Sequence, residues 1–145
     1  MIFLDTSILI TGVVASPHGS PDARKILIQS RRLATAWHCC LEFYSVLTRL
    51  PEEQRVSPAD VFLLLEEYVL GRMKILQLPE KGMEPFLRKS AMEAIRGGSL
   101  YDAHIAEIAY KSRADVVVTE NPRDFAPLLQ SGIPVMRATE FNARA

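Results

Sequence analysis

The chain has 145 residues, of which 48% are hydrophobic and 23% charged, as expected of one soluble globular domain with a sizeable core. The formal net charge of +0 excludes binding of nucleic acid through bulk positive charge, so such binding needs a local basic patch or metal ions. No apolar run is long enough to span a bilayer, and Asp5 interrupts the first run in a way that is not typical of a signal peptide. We therefore expect a single domain over residues 1–145, cytoplasmic and without a membrane partner.

The first predicted element is a short strand, Ile2 to Leu4, whose continuous apolar run is typical of a strand buried on both faces. The strand stops at a carboxylate, Asp5, and the hydroxyls of Thr6 and Ser7 follow. A buried carboxylate without a partner is costly, so Asp5 needs a reason to lie there. Ligands of α/β proteins bind at the carboxyl ends of the strands, which makes Asp5 a candidate site residue.

The next predicted elements are a short strand over Leu33 to Trp37 and a helix over Cys39 to Leu50, which Pro51 ends. The Ser57-Pro58 pair predicts an N-cap and a first helical residue, and the following helix extends to about Leu70. The apolar residues of that helix exceed one face. Two interpretations stay open here: a deeply buried helix, or a helix with one side in a dimer interface.

The second half of the chain again alternates strand and helix patterns. Val116, Val117 and Val118 predict a second fully buried strand. Strands that alternate with helices indicate a parallel sheet with right-handed crossovers, and therefore the α/β class. The predicted elements are a strand over Lys74 to Leu78, a helix over about Gly82 to Ile95, a helix over Ser99 to Lys111, a strand over Asp115 to Thr119, a turn and short helix from Asn121, and a strand over Ile133 to Met136.

Acids occur at related places in this pattern. Asp5 ends the first strand, and Glu42 is predicted in the first turn of the helix after the second strand. The carboxyl ends of parallel strands share one edge of the sheet, so these two acids and the polar residues after the Val118 strand should lie near one another. Asp102 is harder to place, because its helix leads towards a strand and is expected to start at the opposite edge. Only a helix that crosses the end of the sheet, or an antiparallel detour, would bring it in.

Each of these acids also has a purely structural interpretation. Glu42 and Asp102 can complement a helix dipole, Asp102 also matches a capping box with Ser99, and Asp124 can be a turn residue. A joint interpretation rests on chemistry, because carboxylates packed together repel one another unless a cation compensates. Oxygen ligands of this kind suit Mg²⁺ or Mn²⁺, ions that activate water for displacement at phosphorus.

Five other residues draw attention but are predicted to be structural. Cys39 and Cys40 are adjacent, so they rarely bridge each other, and we expect two small apolar residues in a reducing compartment. We expect His104 to be a packed or surface histidine and not a ligand, because the site favours oxygen. Trp37 and His38 are predicted to be core and strand-end residues.

Four segments together resemble the PIN-domain proteins, and in particular the VapC-like toxin ribonucleases of type II toxin–antitoxin modules. Each motif alone is weak, but their order and spacing make the resemblance specific, and it covers nearly the whole chain. It implies a three-layer α/β/α domain with a short central parallel sheet. The segments that carry it are Ile2-Phe3-Leu4-Asp5-Thr6-Ser7, Glu42, Tyr101-Asp102-Ala103-His104-Ile105-Ala106 and Val117-Val118-Thr119-Glu120-Asn121-Pro122-Arg123-Asp124-Phe125.

The resemblance also assigns roles to residues. It implies that Asp5, Glu42 and Asp102 are the catalytic acids that bind Mg²⁺ or Mn²⁺. In the family a fourth acid stands two residues after the threonine of the last motif. Here that position is Asn121, which offers an amide oxygen without charge, and Asp124 three residues later is the other candidate metal ligand.

The activity implied by the resemblance is metal-dependent endoribonuclease activity that leaves a 5′-phosphate and a 3′-hydroxyl. Thr6, Ser7 and Thr119 would position ligands or water, and Arg123 would contact the RNA. Arg96, Lys111 and Arg113 are weaker candidates for RNA contact, since lone surface cations are usually only solvated. A cognate antitoxin and a homodimer are further implied partners.

Two other functions are weighed against this one. A PIN fold with a weakened site could serve as a scaffold or regulatory binding module, and Asn121 is the residue that raises this alternative. A phosphatase of the haloacid-dehalogenase type would use Asp5 as nucleophile. Such enzymes need a second Asp two residues later, and Ser7 at that position argues against them.

Overall fold

The computed structural model describes residues 1–15 and 17–144, and its centre is a five-stranded sheet. Every pairing between neighbouring strands is parallel, in the order β3-β2-β1-β4-β5. The predicted α/β class with a short parallel sheet is therefore confirmed. The strands are β1 (Ile2–Leu4), β2 (Leu33–Ala36), β3 (Lys74–Leu76), β4 (Val116–Val118) and β5 (Val135–Met136).

Eight α-helices surround these strands within the described residues, and the last of them follows β5. A π-helical turn, Glu66–Leu70, continues α4, and a 3-10 turn, Pro122–Phe125, precedes α7. The patterns in the sequence predicted no element in the ranges of α1, α2 and α8. The helices are α1 (Thr6–Val13), α2 (Pro21–Gln29), α3 (Trp37–Thr48), α4 (Pro58–Leu65), α5 (Glu80–Met92), α6 (Ser99–Lys111), α7 (Ala126–Leu129) and α8 (Ala138–Arg144).

The helices form two layers, one on each face of the sheet. The chain moves outward from β1 through β2 to β3, and then returns past β1 to β4 and β5. Because parallel crossovers are right-handed, this reversal puts α1 to α4 on one face and α5 to α7 on the other. The packing agrees: α1 contacts α2 and α3, α3 contacts α4 and α2 contacts α8, whereas α6 contacts α5 and α7. This is the predicted three-layer arrangement.

The sheet is buried because its central strands carry apolar side chains on both faces. All residues of β2 and β4 are buried, as are Phe3 and Leu4 of β1. β1 pairs with β2 on one side and with β4 on the other, in the register Ile2 to Leu33 and Ile2 to Val116. The end of β1 thus lies where the direction of the crossovers reverses, which is where open α/β sheets form a binding crevice. No helix in the described part of the chain is long and apolar enough to cross a membrane.

The helices α3, α5 and α6 start one or two residues away from their predicted starts. α3 begins at Trp37, directly after β2, so Glu42 lies in its second turn and not its first. Trp37 is 45% exposed and is not a core residue. Ser99 is the first residue of α6 and its N-cap is Gly98, which makes no side-chain capping bond, so the predicted capping box with Asp102 does not form. The Ser57-Pro58 helix start is confirmed: the Ser57 hydroxyl accepts from the Asp60 N–H at 3.2 Å.

Candidate functional site

The buried carboxylate of Asp5 is the centre of a hydrogen-bond network at the carboxyl edge of the sheet. Oδ1 accepts from the Thr6 backbone N–H at 2.6 Å, and thereby caps α1. Oδ2 accepts from the hydroxyls of Ser7 at 2.9 Å and of Thr119 at 2.7 Å. Three donors therefore hold one side chain in a single orientation, which explains how a carboxylate that is only 7% exposed is tolerated.

Burial and hydrogen bonding have opposite effects on Asp5. Burial raises the pKa of its carboxyl above the ordinary value, because it disfavours the charged form. The bonds from the hydroxyls of Thr119 and Ser7 and from the Thr6 N–H oppose that rise, since they stabilise the carboxylate. Two of the donors belong to the start of α1 and the third follows β4, so the fold itself supplies the compensation.

The residues after β4 complete the network. Thr119 is fully buried, and its hydroxyl also accepts from the Asn121 backbone N–H at 3.0 Å. The Ser7 hydroxyl accepts from the Glu120 backbone N–H at 2.9 Å. Asp5 itself donates its backbone N–H to the Val118 carbonyl at 3.1 Å. The ends of two neighbouring strands are thus bonded together by the residues that the sequence motifs single out.

Glu42 is brought to the same edge by α3. Its Oε1 accepts from the Thr6 hydroxyl at 2.8 Å, so the residue directly after Asp5 supports a second acid. The Glu42 side chain is 37% exposed and opens towards solvent. The expected proximity of Asp5 and Glu42 follows from parallel topology, since β1 and β2 are neighbours.

Asp102 also lies at this edge, contrary to the expectation from its place before a strand. α6 leads into β4 at the amino edge, where the Asp115 N–H donates to the Met1 carbonyl at 2.9 Å. A helix that packs antiparallel to the strands and ends at the amino edge must begin at the carboxyl edge. The earlier expectation was wrong because it reversed this direction. No detour is needed, and the first turn of α6 delivers Asp102 to the site.

Asp102 has a raised pKa of about 6, against an ordinary value of 3.8. Burial is the largest cause, and the negative charges of Asp124, Asp5 and Glu42 add to it. Among these three charges Asp124 has the greatest effect. The charges of three other carboxylates therefore act on Asp102 at one end of the sheet.

Asp124, and not Asn121, is the fourth acid that faces Asp102. Both aspartates line a cavity of about 410 Å³ between α5, α6 and the segment after β4, and Arg123 lines it as well. Asn121 is exposed, and its structural role is the backbone bond to Thr119. The 3-10 turn that begins at Pro122 carries the chain back towards α6 and brings Asp124 with it.

Two histidines beside the acids form a contact that the sequence analysis did not predict. The Nδ1 atoms of His38 and His104 are 2.8 Å apart, and His38 Nε2 faces Glu42 Oε1 at 3.9 Å. Burial lowers the pKa of His104, and His38 lowers it further. His38 lies in the first turn of α3 and is therefore not a strand-end residue. The spacing of four residues between His38 and Glu42 on a helix was the signal available in the sequence.

Comparison with known proteins decides the family. The sequence model of the PIN domain matches residues 1–123, which is most of the chain. Ribonuclease VapC27 of Mycobacterium tuberculosis is 34% identical over 117 residues, which are 81% of this chain and 82% of that protein. The chain belongs to the PIN domain family. The resemblance inferred from the motifs is thereby confirmed.

Solved structures of PIN domain proteins share the fold. A DNA-bound VapBC from Salmonella typhimurium superposes with a TM-score of 0.66 at 21% identity, over 94% of this chain and 97% of that chain. VapBC-5 from Mycobacterium tuberculosis, a member of the VapBC family of toxin–antitoxin systems, gives a TM-score of 0.56 at 24% identity, over 93% of this chain and 96% of that chain. At these identities the likeness concerns the fold.

The carboxylates of this PIN domain suit a hard divalent cation, but their arrangement limits how many of them can bind one ion directly. Carboxylate oxygens are the ligands that Mg²⁺ and Mn²⁺ prefer. Among residues 1–15 and 17–144, no three His, Cys, Asp or Glu side chains are close enough to enclose an ion together. A carboxylate offers about four acceptor positions, and three on Asp5 are already used. The geometry therefore fits an ion that takes one or two carboxylates directly and keeps several waters, as Mg²⁺ commonly does.

The two cysteines of the PIN domain lie in the core, as predicted. Burial raises the pKa of Cys39 to about 12, with a contribution from the charge of Asp5, and raises the pKa of Cys40 to about 11. Both are free and buried. A thiol with so high a pKa stays protonated near neutral pH, so neither side chain is a good nucleophile or metal ligand.

Proposed function

We propose that this PIN domain is a Mg²⁺- or Mn²⁺-dependent endoribonuclease and the toxin of a toxin–antitoxin pair. One observation carries the proposal: Asp5, Glu42 and Asp102 come from three separate elements and converge beside Asp124 at the crevice of the sheet. The name of VapC27 supports the ribonuclease activity, and VapBC-5 supports the toxin–antitoxin assignment. We assign the catalytic role to Asp5, Glu42 and Asp102, with Asp124 as a further candidate ligand.

The roles of the side chains follow from their contacts. Asp5 is held in one orientation by Thr6, Ser7 and Thr119, so its remaining acceptor position points in a fixed direction. Thr6 holds Glu42 in turn. When bound among these acids, a divalent cation would lower the pKa of a water and offset the charge of the phosphate. Without compensation, the four negative charges would repel an RNA phosphate, so substrate binding should depend on added divalent cation.

Substrate contact is proposed for Arg123. Its side chain lines the same cavity as Asp102 and Asp124, next to the acids, and a guanidinium can bind a phosphate through two parallel hydrogen bonds. Arg137 is a second candidate that the sequence analysis missed, because it follows β5 at the same edge and donates to the Glu120 carbonyl at 2.6 Å. Its exposed position after a strand was the available signal.

The test compares conservative variants in an RNA cleavage assay with and without Mn²⁺. Asp5→Asn and Glu42→Gln keep the side-chain shape but remove the charge, and each should reduce cleavage at least about 100-fold, since one supporting interaction alone is worth about that factor. Asp60→Asn, a change at an exposed residue in the first turn of α4, is the matched control and should cleave like the wild type. Wild-type protein that shows no Mn²⁺ binding in calorimetry near neutral pH and cleaves no RNA would favour the scaffold alternative.

We further propose a cytoplasmic homodimer that an antitoxin inhibits. Exposed apolar side chains support an interface on α3 and α4: Leu41 is 71% exposed, Phe62 52% and Leu63 59%. The two helices contact each other, and large apolar side chains exposed on adjoining helices favour an interaction surface there. Leu41→Lys should convert a dimer to a monomer in size-exclusion chromatography with light scattering. A dimer that persists in both Leu41→Lys and Phe62→Lys would place the interface elsewhere.

A further inference from the structure

The contact between His38 and His104 joins the two helices that carry Glu42 and Asp102. His38 lies four residues before Glu42 on α3, and His104 lies two residues after Asp102 on α6. The two helices belong to opposite layers of the domain. Their hydrogen bond of 2.8 Å between Nδ1 atoms therefore crosses the carboxyl edge of the sheet, directly beside the site. We call these two side chains the imidazole pair.

Packing holds the imidazole pair in place. The rings of His38 and His104 meet edge to face, with centroids 5.0 Å apart and an interplanar angle of 61°. The Tyr101 ring contacts His38 at a centroid distance of 5.4 Å, and the Phe86 ring contacts His104 at 5.3 Å. Aromatic neighbours at these distances restrict rotation of both imidazoles. The bond is therefore part of a packed cluster and not a contact between two mobile surface side chains.

The hydrogen bond limits where the protons lie. Two nitrogens can share a hydrogen bond only if one donates and the other accepts, so one Nδ1 of the pair carries no proton. His38 Nε2 faces Glu42 Oε1 at 3.9 Å, and a carboxylate favours an N–H over a lone pair at that position. A His38 ring with its single proton on Nε2 accepts at Nδ1. His104 must then donate from its own Nδ1.

We propose that the imidazole pair is a positioning device for Glu42: His104 fixes the tautomer and ring orientation of His38, which presents its Nε2–H to Glu42 Oε1. This inference rests on the proposed function, because Glu42 matters only if its carboxylate works in the site. Oε1 also accepts a hydrogen bond from the Thr6 hydroxyl at 2.8 Å, whereas His38 Nε2 at 3.9 Å acts on that oxygen electrostatically, beyond direct hydrogen-bond distance. The other oxygen, Oε2, is left to face the cation or the substrate. Groups that orient a metal-binding side chain in this way commonly change metal affinity about 10- to 100-fold.

The first experiment reads the tautomers directly, in metal-free wild-type protein. ¹⁵N-labelled histidine, observed at a pH of about 8 where ordinary imidazoles are neutral, distinguishes protonated from unprotonated ring nitrogens. The expected result is a proton on Nε2 of His38 and on Nδ1 of His104. The opposite assignment, with a proton on Nδ1 of His38, would point a lone pair at Glu42 and overturn the proposal. This measurement needs no variant and no activity.

The second experiment measures Mn²⁺ affinity by calorimetry in three variants. His104→Leu removes the donor and should weaken Mn²⁺ binding about 10-fold. His104→Asn places an amide N–H close to the former Nδ1 and should recover most of that loss. His18→Leu is the control, because this third histidine is exposed and bonds Gln54 far from the site. A purely structural role for His104 would lower thermal stability in both His104 variants without the recovery of affinity.

The outcomes separate this inference from the proposed function. If wild-type protein binds Mn²⁺ and cleaves RNA while His104→Leu does both equally well, the imidazole pair has no positioning role and the nuclease assignment stands. If wild-type protein neither binds Mn²⁺ nor cleaves RNA, the proposed function fails, and the positioning of Glu42 fails with it. If His104→Leu weakens Mn²⁺ binding and His104→Asn restores it, in a protein whose wild type cleaves RNA, the result supports both the proposed function and the positioning role.

Discussion

Replacing Asp102 by asparagine should stabilise the metal-free protein while it destroys the site. The pKa of Asp102 is about 6 in the folded chain against an ordinary value of 3.8. Above a pH of about 6 the folded protein therefore holds an ionised group that it disfavours, because of burial and of the charges of Asp124, Asp5 and Glu42. Asparagine keeps the shape of the side chain and removes that charge, so the repulsion disappears.

The sign and size follow from proton linkage. A folded pKa above the unfolded one means that the folded state binds more protons between about pH 4 and pH 6, so the stability contributed by this group falls as the pH rises through that window. A shift from 3.8 to about 6 corresponds to about 3 kcal/mol at neutral pH. The side chain is partly exposed, so solvent screening reduces the expected gain for Asp102→Asn to about 1 kcal/mol.

Urea denaturation in EDTA measures this difference. At pH 7.5 the free energy of unfolding of the variant should exceed that of the wild type by about 1 kcal/mol. At pH 4 the two free energies of unfolding should nearly coincide. Addition of Mn²⁺ should raise the stability of the wild type more than that of the variant, since a ligand stabilises only the state that binds it. A gain that is equal at both pH values, or a loss of stability at pH 7.5, would refute the electrostatic reasoning. Asp60→Asn is again the control.

Three further outcomes are expected. Thr119→Val removes the hydroxyl that donates to buried Asp5 and should lower the free energy of unfolding by about 1–3 kcal/mol in urea denaturation, whereas Thr119→Ser should recover most of it. Cys39 and Cys40 should react with an aromatic disulfide reagent only after denaturation, because both are buried with raised pKa values; fast labelling of the native protein would contradict their burial. Phe43→Ala should lower the free energy of unfolding by about 3–5 kcal/mol in the same assay, because its ring is fully buried in the core. A decrease below about 1 kcal/mol would mean that the core around Phe43 is not close-packed.

The sequence predicted the sheet well because its signals are local. Unbroken apolar runs mark strands that are buried on both faces, and Val116–Val118 is such a run from end to end. The helices α1, α2 and α8 were missed for a related reason. The apolar run at Ile8 to Ile10 is too short to separate helix from strand. The Ser20-Pro21 pair that starts α2 is the same signal as Ser57-Pro58, and it was overlooked.

The site was predicted in part, and the difference lies in the range of its contacts. Asp5 could be singled out because a charge directly after a buried strand is unusual. The position of Asp102 depends on the direction of a helix, which the sequence analysis took the wrong way round. The preference for Asp124 over Asn121 depends on how a 3-10 turn folds back, and the bond between His38 and His104 joins residues 66 positions apart. Neither arrangement leaves a periodic signal in the sequence.

The bond between Thr119 and Asp5 spans 114 residues, and it has a consequence for how the protein is made. A ribosome completes β1 first, but β4 and the Thr119 hydroxyl that orients Asp5 emerge only after more than 100 further residues have been added. Until then the carboxylate has neither its partner from β4 nor the acid of α6 beside it. Since domains of this kind fold as units, a nascent or prematurely terminated chain lacks the assembled site. The assembled site should therefore arise only after the segment that carries β4 and Thr119 has been translated.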